Sequence, residues 1–424
     1  MNKLITVSAL LLSSTSLLAG SLKTDNPERK PSAQVIMSEV QSKRVTKLSE
    51  FLADEKYAEA KSGLEAMLVK TNPKRDAYVQ SLLHQLLGHA ASAQGDYKAT
   101  ARHFQKSIDL DAMPNTTHFS MMLQLAQIKM ADQDYQGVLK SLDEYFKVVD
   151  EIPDKAFAVK ANTHAQLEQF REAQKAIKQA IALADKPNES WYQLLLSTHA
   201  ELSEYKQMAE VLEILIGLAP EKKIYWKQLS SVYFTLKNDK KSLAVLALAE
   251  RKGLLSEESE YLQLYKMYSY NNVPYEGAKL LERAMNEKKV EANFKNLKQL
   301  GQTWYAAKNV DKSLAAYDRA SEFAKDGEMD LTRSFLYLDM ENWSKAVSSI
   351  TSALKKGGLS DDKMGNAWLM LGMSHASLKN YPQARKAFNN AINYKKSRSN
   401  AQQWLNHLTT LEEKAKATTA QAQP

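Results

Sequence analysis

Lys227, Ser231, Phe234, Lys266, Tyr270, Lys298, Gln302 and Tyr305 are the residues of this chain whose types suit recognition chemistry. Lysines supply fixed positive charge and the rings supply apolar area at low entropic cost. Such a strip fits an extended acidic or amphipathic peptide, gripped by charge at the rim and by aromatic contacts at the centre. The plainer alternative is that these lysines are solvated helix positions. Of the neighbouring tyrosines Tyr261, Tyr265, Tyr268 and Tyr270, three fall at packing positions and read as core.

Catalytic chemistry finds no foothold. There is no Gly-rich phosphate loop; Gly357-Gly358 lies between helical segments, with no strand before it. No His-Glu-x-x-His occurs, and no serine sits in a nucleophile elbow. Asp326-Gly327-Glu328 lacks the alternating acids of a calcium loop. His84, His89 and His103 lie close in sequence, but a metal site needs converging ligands, and helical spacing is expected to scatter these three. His164, His199 and His375 are expected to be packing residues. The expectation is a protein that is not an enzyme, with no metal and no cofactor.

The elements that must position the strip are helices in a cadence. Aromatics, small residues and Leu-Gly pairs recur about every 35 residues; the clearest copy is Trp368, Leu371, Gly372, Tyr381, Ala384, Phe388 and Ala391. This is the tetratricopeptide (TPR) pattern, each unit two antiparallel helices. Gly or Ala eight residues into a unit lets its helices approach closely, and Pro73, Pro114, Pro153, Pro187 and Pro220 close successive units because proline cannot continue a helix. The fold class expected is all-α, a TPR superhelical solenoid of about ten helix-pair repeats over 41–398. In such arrays first helices line the binding surface, which places the strip there. Residues 399–416 read as a C-terminal capping helix and 417–424 as a disordered tail. Lys227 is followed by Ser231 where a carboxylate-gripping TPR domain would carry Asn, so that mode of ligand capture is not expected.

Residues 1–20 read as a cleaved signal peptide: Lys3, an apolar run from Leu4 to Leu18, then Ala19-Gly20-Ser21. Residues 21–40 read as a flexible lead-in. Export places the chain in the periplasm, with no transmembrane segment after cleavage. The chain has no cysteine, which excludes disulfides and thiolate metal sites. Its net charge of +8 is spread among interspersed acids, unlike the concentrated basic face of a nucleic-acid binder, so no nucleic acid is expected as partner.

Several stretches go beyond the generic cadence. They are Asn271-Asn272-Val273-Pro274-Tyr275-Glu276-Gly277-Ala278 with Leu280-Leu281-Glu282, Lys295-Asn296-Leu297 leading into Leu300-Gly301-Gln302-Thr303-Trp304, Asp326 to Leu331, Ala353 to Leu359, Ala367 to Met373, and Lys396-Ser397-Arg398-Ser399 running on to Leu405. With the export signal, these resemble the exported TPR proteins encoded beside TonB–ExbB–ExbD-type energy-transduction systems of Gram-negative bacteria. The resemblance implies a periplasmic scaffold, accessory to TonB-dependent transport such as iron uptake, with components of that complex as protein partners. It carries no assigned functional residues. The alternative is an adaptor for envelope assembly or polysaccharide export.

Overall fold

The computed structural model describes residues 37–421, with side chains described for 37–413. The signal segment and most of the lead-in lie outside the described residues; Glu39, inside the lead-in, already opens the first helix. The described residues divide into two compact units, one up to Glu221 and one from Lys222 on. All regular elements among the described residues are helices.

The first unit is five antiparallel pairs: α1 (Glu39–Ala53) with α2 (Tyr57–Val69), α3 (Ala77–Ala93) with α4 (Tyr97–Asp109), α5 (Asn115–Ala131) with α6 (Tyr135–Val148), α7 (Asp154–Gln166) with α8 (Phe170–Leu183), and α9 (Glu189–Glu201) with α10 (Tyr205–Leu218). The second unit is five more: α11 (Lys223–Thr235) with α12 (Asp239–Arg251), α13 (Glu258–Tyr270) with α14 (Pro274–Asn286), α15 (Phe294–Ala306) with α16 (Val310–Phe323), α17 (Glu328–Asp339) with α18 (Trp343–Lys356), and α19 (Asp361–Ser377) with α20 (Tyr381–Ala391). A last helix, α21 (Arg398–Gln421), follows.

One left-handed residue turns each first helix into its partner. These are Glu55, Gly95, Gln133, Glu168 and Ser203 in the first unit and Lys237, Asn272, Lys308, Glu341 and Lys379 in the second. At α11 the N–H of Asn238 reaches back to the Tyr233 carbonyl at 2.8 Å, satisfying a carbonyl that the helix end would leave orphaned. The next residues cap the partner helix: Asn238, Asn309 and Asn342 each accept an N–H three residues on. Only Gly95 among the ten is a glycine, although the left-handed region disfavours every other residue type.

The pairs close on small residues. An added Cβ at Gly88 would meet the Phe104 ring at 2.4 Å; Gly301 faces Tyr317 at 2.4 Å and Gly372 faces Phe388 at 2.5 Å in the same way. Each aromatic therefore lies directly on the backbone of its partner helix. That approach lets serine hydroxyls reach across: Ser242 Oγ donates to the Ser230 carbonyl at 2.7 Å, and Ser313 Oγ to the Gly301 carbonyl at 2.8 Å. Gly301→Ala is expected to destabilise by about 1–3 kcal/mol, because the buried Tyr317 ring must move from a packed core. Chemical denaturation of the full chain checks this.

α21 closes the last pair with Ala401, Leu405 and Leu408, all buried on one stripe, while Trp404 stacks on Phe388 at 5.7 Å. It is longer than the segment read as a cap, since it runs to Gln421, into residues read as a tail. Among the described residues no helix is long and apolar enough to cross a membrane.

Candidate functional site

In the second unit, α11, α13 and α15 each bury one face and present another. α11 buries Tyr225, Trp226, Leu229, Val232 and Tyr233 and exposes Lys227, Ser231 and Phe234, which share a stripe at four- and seven-residue spacing. α13 buries Tyr261, Leu264 and Tyr265 and exposes Lys266 and Tyr270, one turn apart. α15 buries Leu297, Leu300 and Trp304; Lys298 is half-buried, and Gln302 and Tyr305 are exposed along the same stripe. The rings are large apolar groups left in solvent: Phe234 is 52% exposed, Tyr270 67% and Tyr305 46%. Phe234 and Tyr270 meet edge to face with centroids 6.1 Å apart, so rings from neighbouring repeats form one continuous surface.

Lateral bonds hold these helices side by side. Tyr265 OH lies 2.7 Å from Thr303 Oγ1, joining α13 to α15, and Asn296 Nδ2 donates to Glu258 Oε1 at 3.4 Å. α11 is tied to α13 through Glu260, whose carboxylate is 5% exposed. Lys223 Nζ lies 2.9 Å from Glu260 Oε1 and Lys227 Nζ 3.2 Å from the same oxygen, while Oε2 accepts the N–H groups of Ser256 at 3.0 Å and Glu257 at 3.2 Å. Lys227 is thus a compensated charge, and the uncompensated part of the strip is Lys266 and Lys298. The Lys298 ammonium lies 5.9 Å from the Phe294 ring centroid.

Burial acts to raise the Glu260 pKa. The Ser256 N–H, Lys223, the Glu257 N–H and Lys227 together outweigh it and hold the carboxyl at about 2, below the usual 4.5. A lowered folded-state pKa contributes stability that is fully present above the ordinary carboxylate range and lost as pH falls toward the folded value. Glu260→Gln should therefore lower the melting temperature at neutral pH and flatten its fall between roughly pH 5 and 2. Thermal melts of both proteins across that range check it.

Glu260 was legible as a capping-box partner, since Glu257 and Glu260 stand at the N-cap and third positions of α13. Its role as the receptor of two lysines from α11 was not. The histidines also depart from expectation. His84 and His103 are not scattered: their Nδ1 atoms are 3.1 Å apart, and burial first, then His103 and Lys106, push the His84 pKa down to about 4. His89 stands apart, exposed against the edge of Phe104. No group of three or more His, Cys, Asp or Glu that could hold a metal occurs among the described residues. His199 does pack, buried, but it also bonds Glu204 at 2.6 Å and approaches Gln174 at 2.9 Å; His164 likewise meets Gln169, five residues on, at 2.7 Å.

Known proteins bear on this fold. The family model described as tetratricopeptide repeat matches residues 335–401, and the model described as anaphase-promoting complex subunit 5 matches residues 121–206. Similar solved structures include a tetratricopeptide repeat protein from Parabacteroides merdae, 11% identical, covering 68% of this chain and 94% of that one at a TM-score of 0.38. Another is the C-terminal part of a TPR repeat-containing protein from Cytophaga hutchinsonii, 9% identical, covering 66% and 97% at a TM-score of 0.31. A third is the TPR2AB domain of yeast Sti1 with pHSP90, 15% identical, covering 62% and 98% at a TM-score of 0.30. No curated protein matches the chain by sequence. Both units are built of adjacent helix pairs, and residues 335–401 carry the tetratricopeptide repeat family's own sequence pattern.

Proposed function

We propose that this protein is a periplasmic scaffold that docks a component of a TonB–ExbB–ExbD-type complex on the exposed face of α11, α13 and α15, and so supports TonB-dependent uptake. The observation that carries the docking face is the run of exposed rings Phe234, Tyr270 and Tyr305 on three laterally joined helices. Aromatics are the residues that anchor interfaces, and here Phe234 and Tyr270 from neighbouring repeats touch one another. The signal-like start and the stretches from Asn271 to Leu405 support the compartment and the partner.

The test is an affinity pull-down from the envelope of the source bacterium with the full chain and with Phe234→Ala/Tyr270→Ala. Both substitutions are on exposed positions, so the fold should survive, as circular dichroism would verify. The expected result is enrichment of TonB-system proteins by the wild type, reduced at least about tenfold in the variant. A wild-type pull-down that enriches none of them would overturn the partner assignment. A deletion strain that grows normally under iron limitation but shows altered envelope material would favour the envelope-assembly adaptor instead.

A further inference from the structure

The seam between α3 and α4 is closed by three successive contacts. Ser81 and Ser107 each donate to the other's carbonyl, at 3.1 and 2.7 Å. His84 and His103 meet through their Nδ1 atoms at 3.1 Å, and the Phe104 ring lies on the backbone of Gly88. The middle contact is unlike its counterparts in other repeats. Four residues before the glycine and one before the aromatic stand Leu297 and Ala316 in α15 and α16, and Trp368 and Ala387 in α19 and α20. Leu297, Ala316 and Ala387 are buried, as His84 is. Apolar side chains therefore suffice to close this seam, and a buried polar pair costs desolvation that they do not.

The pair holds together only with the right number of protons. Two imidazole nitrogens bond each other when one carries hydrogen and the other a lone pair. In the neutral pair the donating ring keeps its lone pair at Nε2, and the accepting ring keeps its hydrogen at Nε2. A first added proton binds the donor's Nε2 and leaves the hydrogen bond in place. A second can bind only the accepting Nδ1, which sets N–H against N–H and breaks the contact.

The surroundings oppose charge on both rings. At His84 burial acts first, then His103 and Lys106; at His103 burial acts first, then Arg102 and Lys106 of α4 and Lys61 of α2, against Glu65 of α2. The charged groups facing the rings thus come from α2 and α4. Both histidines are held below the ordinary 6.5, His84 at about 4. A lowered folded-state value means stability that is present above the ordinary histidine range and lost as pH falls from about 6.5 toward 4. His103 also has room to leave: it lines an open cleft of about 80 Å³ with Lys61, Glu65, Gln94, Asp96 and Arg102.

We propose that His84 and His103 form an acid-released joint: their hydrogen bond locks α3 to α4 at neutral pH, and protonation of both rings turns His103 into the cleft and unlocks that helix pair. The joint lies in the first unit and is independent of the docking face.

Amide hydrogen exchange of the full chain at about pH 7 and about pH 4.5, corrected for the intrinsic pH dependence of exchange, tests this. His84→Leu/His103→Ala installs the residues of the α15–α16 seam and cannot titrate. His89→Gln removes the other histidine of this seam, which stands against Phe104. In the wild type and in His89→Gln, protection of α3 and α4 should drop at least about tenfold at the lower pH, while α15 and α16 change little. In the double variant that difference should vanish. His103→Gln supplies the same comparison should the double variant fold poorly, because its amide can accept from a protonated His84 and takes no proton itself. No selective loss in the wild type, an equal loss in the non-titrating variants, or a loss abolished by His89→Gln would each overturn the proposal.

Discussion

Asp330→Ala is expected to destabilise the second unit by about 3 kcal/mol, toward the low end of the roughly 3–5 kcal/mol that breaking a buried ion pair costs. Asp330 lies on α17 and is 1% exposed. Its Oδ1 accepts Ser321 Oγ at 3.0 Å and Arg333 Nη2 at 3.1 Å. Lys356 Nζ, from the end of α18, lies 2.8 Å from Oδ2 as an ion pair. Removing the carboxylate strands two cations that were brought in to meet it. Arg333 keeps Asp318 and Ser349 as partners, and Lys356 keeps the Ser321 carbonyl at 2.9 Å, which is why the cost stays at the low end. Asp330→Ala/Lys356→Met should recover part of the loss, because it removes the stranded charge with its partner. Urea denaturation of the wild type and both variants measures this, and a double variant less stable than Asp330→Ala would contradict the account.

Trp304→Ala should cost about 3–5 kcal/mol, as for other large aromatic truncations in packed cores. Trp304 is fully buried at the meeting of α14, α15 and α16, in one cluster with Leu281, Leu300 and Ala320. Tyr275 contacts it edge-on at 5.5 Å, and the Lys312 ammonium sits 4.3 Å from its ring centroid. The indole Nε1–H, however, donates to no acceptor among the described residues. Trp304→Phe keeps a buried ring and drops that unpaired donor, so its cost should be well under half that of Trp304→Ala. Because repeats exchange contacts only with neighbours, the loss should show as faster amide exchange concentrated in α14, α15 and α16. Uniform acceleration across the second unit would count against that local picture.

The pairing of helices was legible because it rests on periodicity. Leu371, Gly372, Ala384 and Phe388 announce a repeat, and the structure puts the Phe388 ring on the Gly372 backbone. The turns were harder to read. Glu168, Ser203, Lys237 and Glu341 adopt left-handed backbone conformations without the glycine that would have marked them. The N-cap residue of the next helix closes each turn with a backbone hydrogen bond to the carbonyl five residues earlier, a bond that needs no particular side chain and so leaves no mark in the sequence. The stripe Lys227, Phe234, Lys266, Tyr270, Lys298, Gln302 and Tyr305 was picked out by the repeat frame, which sets which positions of a first helix stay out of the core. What spacing could not carry was pairing across repeats: Lys227 with Glu260, 33 residues on, or His84 with His103 on another helix. Those depend on which helices lie side by side, and that information is in the packing rather than in any local window.

The central claim, that the face of α11, α13 and α15 is where a protein partner docks, is tested most directly by photo-crosslinking in living cells. A crosslinking side chain would be placed at Tyr270, 67% exposed on α13, and separately at Phe323, 55% exposed on the partner-helix layer at the end of α16. The two positions are similarly accessible and differ in the layer they occupy. Crosslinks to a TonB-system component from position 270 and none from position 323 are the predicted result. Crosslinks from 323 alone, or equally from both, would contradict it.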